Sequence, residues 1–127
     1  MTDEITLTLP RDREFYGIAH LVLGGLAVRL DLTFETLEDL QLALASVLER
    51  PDDDGDVHVT LRVDGRAVHA LVGPFDGALL RAHLERATSE ELSVARLLDT
   101  VVDRVEIDDR DEGAWIELTK SVEETTH

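Results

Sequence analysis

Val57-His58-Val59-Thr60-Leu61-Arg62-Val63-Asp64-Gly65-Arg66-Ala67-Val68-His69-Ala70-Leu71-Val72 decides the fold class. Residues 57–63 and 66–72 both alternate apolar and polar side chains, the two-residue period of a half-buried strand. Asp64-Gly65 between them favours a two-residue type I′ turn, so the stretch reads as a β-hairpin. Val57, Val59, Leu61, Val68, Ala70 and Val72 share the core face. His58, Thr60, Arg62, Ala67, His69 and Leu71 share the other, which is more polar, so one side of the sheet is expected to face water. The turn register expected from Asp64-Gly65 makes His58 and His69 diagonal neighbours.

Outward from the hairpin, helical and strand patterns alternate in blocks. Ile5-Thr6-Leu7-Thr8-Leu9 is a strand ending at Pro10. Residues 13–30 form a helix. Phe15, Ile18, Ala19, Val22, Leu26 and Leu30 lie on one face, and Leu21, Leu23 and Val28 widen it enough to predict cover on two sides. Gly24-Gly25 lowers helix propensity and predicts close approach by another backbone. Thr33 caps a second helix with Leu37, Leu40, Leu44, Val47 and Leu48 inward, and Pro51 ends it. Downstream, residues 76–87 form a short helix carrying Leu79, Leu80, His83 and Leu84. Thr88-Ser89-Glu90-Glu91 reads as a capping box opening a helix to about Val102, with Leu92, Ala95, Leu98 and Val102 on one face. A last hairpin joins 104–108 to 114–119. The order is βααββααββ, an α+β two-layer sandwich: a mixed, mostly antiparallel sheet with helices on one face.

The chain has 127 residues, the size of one domain. Its 28 Asp+Glu against 12 Lys+Arg give a net charge of -16, and Lys120 is the sole lysine. Such a surface repels nucleic acid and anionic lipid and steers a basic protein toward it. Acidic, lysine-poor composition of a whole genome would produce the same balance. There is no cysteine, so disulfides, thiol catalysis and Cys-zinc sites are excluded. The most apolar stretch, 17–28, is too short to span a bilayer, and the N-terminus has no signal-peptide charge pattern. A cytoplasmic protein is expected. The five histidines have no short ligand spacing, the 52–56 acidic run lacks the pattern of a calcium loop, and no phosphate-cradling glycine motif or G-x-S-x-G occurs. No metal is expected.

The stretch Leu37-Glu38-Asp39-Leu40-Gln41-Leu42-Ala43-Leu44-Ala45-Ser46-Val47-Leu48-Glu49-Arg50 resembles the second helix of the anti-sigma-factor serine kinases, of the GHKL (histidine-kinase-like) ATPase superfamily. Tyr16 to Leu30 resembles their first helix. Residues 92–107 resemble their last helix and strand, and Trp115-Ile116-Glu117-Leu118-Thr119-Lys120 their closing strand. The resemblance implies a single histidine-kinase-like domain over 1–121, with a polar tail at 122–127. It also implies a sigma factor or a STAS anti-anti-sigma protein as partner. Dimerisation through the first strand and helix follows as well, as a homodimer or with an active paralogue, with Arg13, Tyr16 and His20 as a contact edge.

Against the family pattern, Ser46 stands where a glutamate general base belongs and Arg50 where an asparagine binds Mg²⁺. A hydroxyl is no base at neutral pH, and a guanidinium has no lone pair for a metal. Gly73 is not preceded by the family's aspartate. Leu92 and Val94 replace the glycine pair that approaches phosphate. The expectation is a degenerate member, without catalytic residues or bound ATP, acting by protein–protein binding. The alternative is a divergent ATP-dependent serine/threonine kinase with a displaced base and metal site.

Overall fold

In the computed structural model, the described residues are 3–11, 13–48, 55–64, 66–85, 87–89 and 92–121, with backbone alone for Asp3, Arg13, Leu30, 87–89 and Leu92. The elements are β1 (Asp3–Pro10), α1 (Arg13–Leu30), α2 (Phe34–Leu48), β2 (Asp56–Asp64), β3 (Ala67–Phe75), α3 (Gly77–Glu85), β4 (Ala87–Ser89), β5 (Leu92–Ser93), α4 (Val94–Val101), β6 (Arg104–Arg110) and β7 (Gly113–Ser121). Five strands form one sheet in the order β1-β2-β3-β7-β6, and β4 and β5 form a separate pair. Every described pairing is antiparallel, so the parallel component expected of a mixed sheet is not found among the described residues.

The alternating strands sort their side chains as expected. Val57, Val59, Leu61, Val63, Val68, Ala70, Val72, Ile116 and Leu118 enter one apolar cluster with Leu40, Leu44, Val47, Leu80 and Leu98 from the helices. The opposite sheet face carries Thr6, His58, Thr60, His69, Leu71, Glu117 and Thr119, exposed or half-buried. Burying the inner face supplies about 1.5–3 kcal/mol for each large apolar side chain, which fixes which face turns inward.

Register and caps differ from expectation in three places. Asp64 pairs with Ala67, so the hairpin loop is 65–66, and Gly65 itself lies outside the described residues. The shift is by two residues. It keeps every face and moves His58 opposite Gly73 and His69 opposite Arg62, so the two histidines are not diagonal neighbours. The expected capping box also fails. Residues 87–89 are strand, paired to 92–93, and Glu90 and Glu91 lie outside the described residues. Strand pairing takes the backbone groups that a cap would have satisfied. The cap is Ser93, whose side chain accepts from Arg96 N at 3.2 Å, and the buried stripe becomes Val94, Leu98 and Val101.

The third difference is in α1. Ala19, Leu23, Leu26 and Ala27 are buried, with Tyr16 and Val22 packed beside them. Phe15, Ile18, Leu21 and Val28 are exposed, Leu21 at 78% and Val28 at 85%. Among the described residues the helix is covered on one side only, and a Cβ built at Gly24 or Gly25 meets nothing within 4 Å. The widened face expected to be covered on two sides is buried along Ala19, Leu23 and Leu26, and its Phe15, Ile18, Leu21 and Val28 are left exposed. Asp31, in the left-handed region at φ 55°, ends α1. Thr33 then caps α2, accepting from Thr36 N at 3.1 Å.

Candidate functional site

The second helix was singled out by the family-like stretch 37–50, and its C-terminal half carries Ser46. The Ser46 hydroxyl donates to the Leu42 carbonyl at 2.8 Å, a bond back into its own helix. The Ser46 carbonyl lies in the last turn, where helical carbonyls lack intrahelical donors. It accepts from His83 Nε2, on α3, at 2.7 Å. That contact requires the Nε2–H tautomer, and His83 joins α3 to α2 at this point. Arg50 lies outside the described residues.

Gly73 on β3 faces the uncovered side of the sheet. A Cβ there would lie 2.7 Å from Trp115 Cδ2 and 3.0 Å from Cγ and Cε3. Its missing side chain is the space the indole fills. Trp115 is 9% exposed. Its ring stacks with His58 at 6.2 Å between centroids, 16° from coplanar, and the Arg110 guanidinium lies 5.1 Å over it. Asp76 caps α3, accepting from Ala78 N at 3.0 Å and Leu79 N at 3.1 Å.

Leu92 begins β5, and Val94 is the first residue of α4, 2% exposed. The Val94 side chain belongs to the core cluster, and Ser93 already occupies one of the free amides at that helix start. These positions hold packing and capping groups. The Asp39 carboxylate, from the same family-like stretch, pairs with Lys120 Nζ at 3.2 Å and ties α2 to β7. Only the sequence match marked Asp39, and its partner is the sole lysine.

Of the expected contact edge, Arg13 starts α1, Tyr16 packs against the core, and His20 is half-buried with its carbonyl accepting from Gln41 Nε2 at 3.5 Å. The side that reaches solvent is the stripe of Phe15, Ile18, Leu21 and Val28, continued by Phe34 at 75% exposure. Sequence reasoning placed Phe15 and Ile18 in the core. Among the described residues no group of three or more His, Asp or Glu side chains is arranged to hold a metal ion. His58 Nδ1 instead meets Thr8 at 2.9 Å, and His69 Nδ1 meets Thr119 at 3.1 Å. No described helix is long and apolar enough to cross a membrane.

No protein-family model matches the chain. Individual proteins do. The serine-protein kinase RsbW of Halalkalibacterium halodurans is 27% identical over 139 residues, covering 93% of this chain and 83% of that protein. RsbW of Bacillus subtilis is 25% identical over 137 residues, covering 93% and 85%. RsbW of Listeria monocytogenes serotype 4a is 33% identical over 66 residues, and there the match spans 42% of the relative's length and 46% of this chain. A Mycobacterium tuberculosis protein, solved as its RsbU and RsbW domains, superposes with a TM-score of 0.63 at 15% identity, covering 94% of this chain and 32% of that one. That likeness is one of fold. The resemblance read from residues 16–120 to the anti-sigma-factor serine kinases is borne out.

Proposed function

We propose that this chain, a relative of the RsbW serine-protein kinases, is a bacterial anti-sigma regulator that works by binding a sigma factor or a STAS antagonist, with nucleotide chemistry lost. Residues 1–121 form one GHKL-type domain in this reading, the tail 122–127 stands outside it, and the protein acts in the cytoplasm. The match to RsbW proteins over 93% of the chain supports the regulatory role. The hydrogen bonds at Ser46 carry the loss of chemistry. Its hydroxyl proton is committed to Leu42 and its carbonyl to His83, so the helix offers no carboxylate there to take a proton. Gly73 lies under an indole, and Val94 points into the core at the start of α4. The residues present do not fit Mg-ATP in the family's manner.

A protein partner suits what remains. The apolar stripe of α1 is a surface that monomeric proteins seldom leave open. β1 is an edge strand of the sheet, with no strand on its outer side among the described residues. Together they support dimerisation, with a second copy or with a paralogue. The net charge of -16 favours a partner with a basic surface.

A second reading, the divergent serine kinase, draws on one observation: the His83 imidazole touches the Ser46 backbone at the position of the lost base. The test is to mix the full chain with the sigma factors and STAS proteins of its own cell, with and without Mg-ATP. Complex formation independent of nucleotide, with no phosphate transfer to the STAS serine, is expected. ATP-dependent phosphorylation would establish the second reading, and failure to bind any sigma factor or STAS protein would refute the first.

A further inference from the structure

Residues 15–28 contain no Asp, Glu, Lys or Arg, the longest uncharged run in a chain of net charge -16. They make up most of α1. Ala19, Leu23, Leu26 and Ala27 are buried, and on the opposite side of the helix Ile18, Leu21, Gly25 and Val28 are exposed. Steps of three, four and three residues hold these four positions on one narrow strip. That is the seam along which two helices pack at a crossing angle of about 20°.

Gly25 is a notch in the seam, because a Cβ built there meets nothing within 4 Å. Leu21, one turn earlier and 78% exposed, is the side chain that projects furthest beside it. A two-fold axis level with position 23 makes the strip complementary to itself. With two α1 helices antiparallel across that axis, Leu21 of each meets Gly25 of the other, and Ile18 meets Val28. Parallel packing in register has no such fit: Leu21 meets Leu21, and Gly25 faces Gly25 across a void.

We propose that α1 packs antiparallel on α1 of a second copy of this chain, with Leu21 seated in the Gly25 notch. The proposal rests on the dimerisation reading and adds to it the occupant, the orientation and the register. Charge selects the occupant. Two chains of like charge repel over most of their surfaces, and the uncharged run is where they meet at least cost. A basic partner drawn to the acidic surface gains nothing there. Antiparallel packing also brings the Glu14 end of one helix to the Arg29 end of the other, unlike signs together, where parallel packing sets like against like.

The chain has no cysteine, so introduced cysteines read the register directly. Position 18 faces 28 in the proposed pair. The two copies of position 18 lie about 15 Å apart along the helices at 1.5 Å per residue, beyond the roughly 7 Å between Cα atoms that a disulfide spans. Ile18→Cys and Val28→Cys are oxidised separately and as an equal mixture, then run on a denaturing gel without reductant. A covalent dimer is expected from the mixture and from neither variant alone. Gly25→Leu should raise the dimer Kd, measured by light scattering on dilution, by at least about tenfold. It should not lower the unfolding midpoint of dilute protein, because in the single chain the added side chain enters open space. If the parent chain scatters as a dimer but Ile18→Cys cross-links to itself, or Gly25→Leu leaves the Kd unchanged, the proposal is overturned and dimerisation stands. A parent chain that remains monomeric at millimolar concentration overturns both.

Discussion

Replacing Gly73 with alanine would place a methyl group 2.7 Å from Trp115 Cδ2, where ordinary carbon contacts lie at about 3.5–4.0 Å. The overlap is close to 1 Å against a ring only 9% exposed. His58 flanks that ring and Arg110 lies over it, which limits how far it can retreat. Overpacking of this kind costs about 1–3 kcal/mol. Gly73 is not among the residues at positive φ, so alanine carries no backbone strain there. It also stiffens the unfolded chain, which returns about 0.4–1 kcal/mol. The net expectation is destabilisation of about 1–2 kcal/mol, a fall in Tm of roughly 3–6 °C for each kcal/mol at this chain length. Urea unfolding followed by Trp115 emission and by circular dichroism measures it. In a Trp115→Ala background the same change should cost nothing or stabilise. A single variant within about 0.5 kcal/mol of the parent, or an equal cost in both backgrounds, would refute the assignment of Gly73 to the indole.

Further expectations follow from the same contacts. His83→Ala removes the donor from the Ser46 carbonyl and should cost about 1 kcal/mol in chemical unfolding; no change would mean that α2 and α3 are not joined there. Leu98→Ala, at a fully buried position, should cost about 2–5 kcal/mol, and a cost below that range would mean the α4 stripe is misassigned. Leu21→Ser with Val28→Ser should leave the unfolding midpoint of dilute protein nearly unchanged while lowering the mass in light scattering from dimer to monomer. A dimer that survives the double change uses another surface.

The sheet was legible because its pattern is short-range. The alternation at 57–63 and 66–72 names the inward face without knowledge of the neighbours, and a register error of two residues leaves that face intact. The histidine geometry did not survive the same shift, because it depends on pairing and not on parity. In α1 the sequence shows which residues are apolar but not how much of that wide face the sheet and α2 will cover, and Phe15 and Ile18, expected inside it, are exposed. The cap at Ser93 was obscured by Thr88-Ser89-Glu90-Glu91, a better-looking cap whose first two residues are drawn into a small strand pair. Ser46 was visible as a departure from a family pattern. Its tie to His83, 37 positions away, and the use of Gly73 by Trp115, 42 positions away, are properties of packing, and no spacing rule announces them.

Calorimetric titration of the full chain with Mg-ATP puts the central claim to its most direct test. The account predicts no heat of binding up to millimolar nucleotide, because the hydroxyl, the glycine and the α4 start that would meet the ligand are committed to the protein's own groups. A saturable isotherm in the micromolar range, abolished by chelating the magnesium, would contradict it.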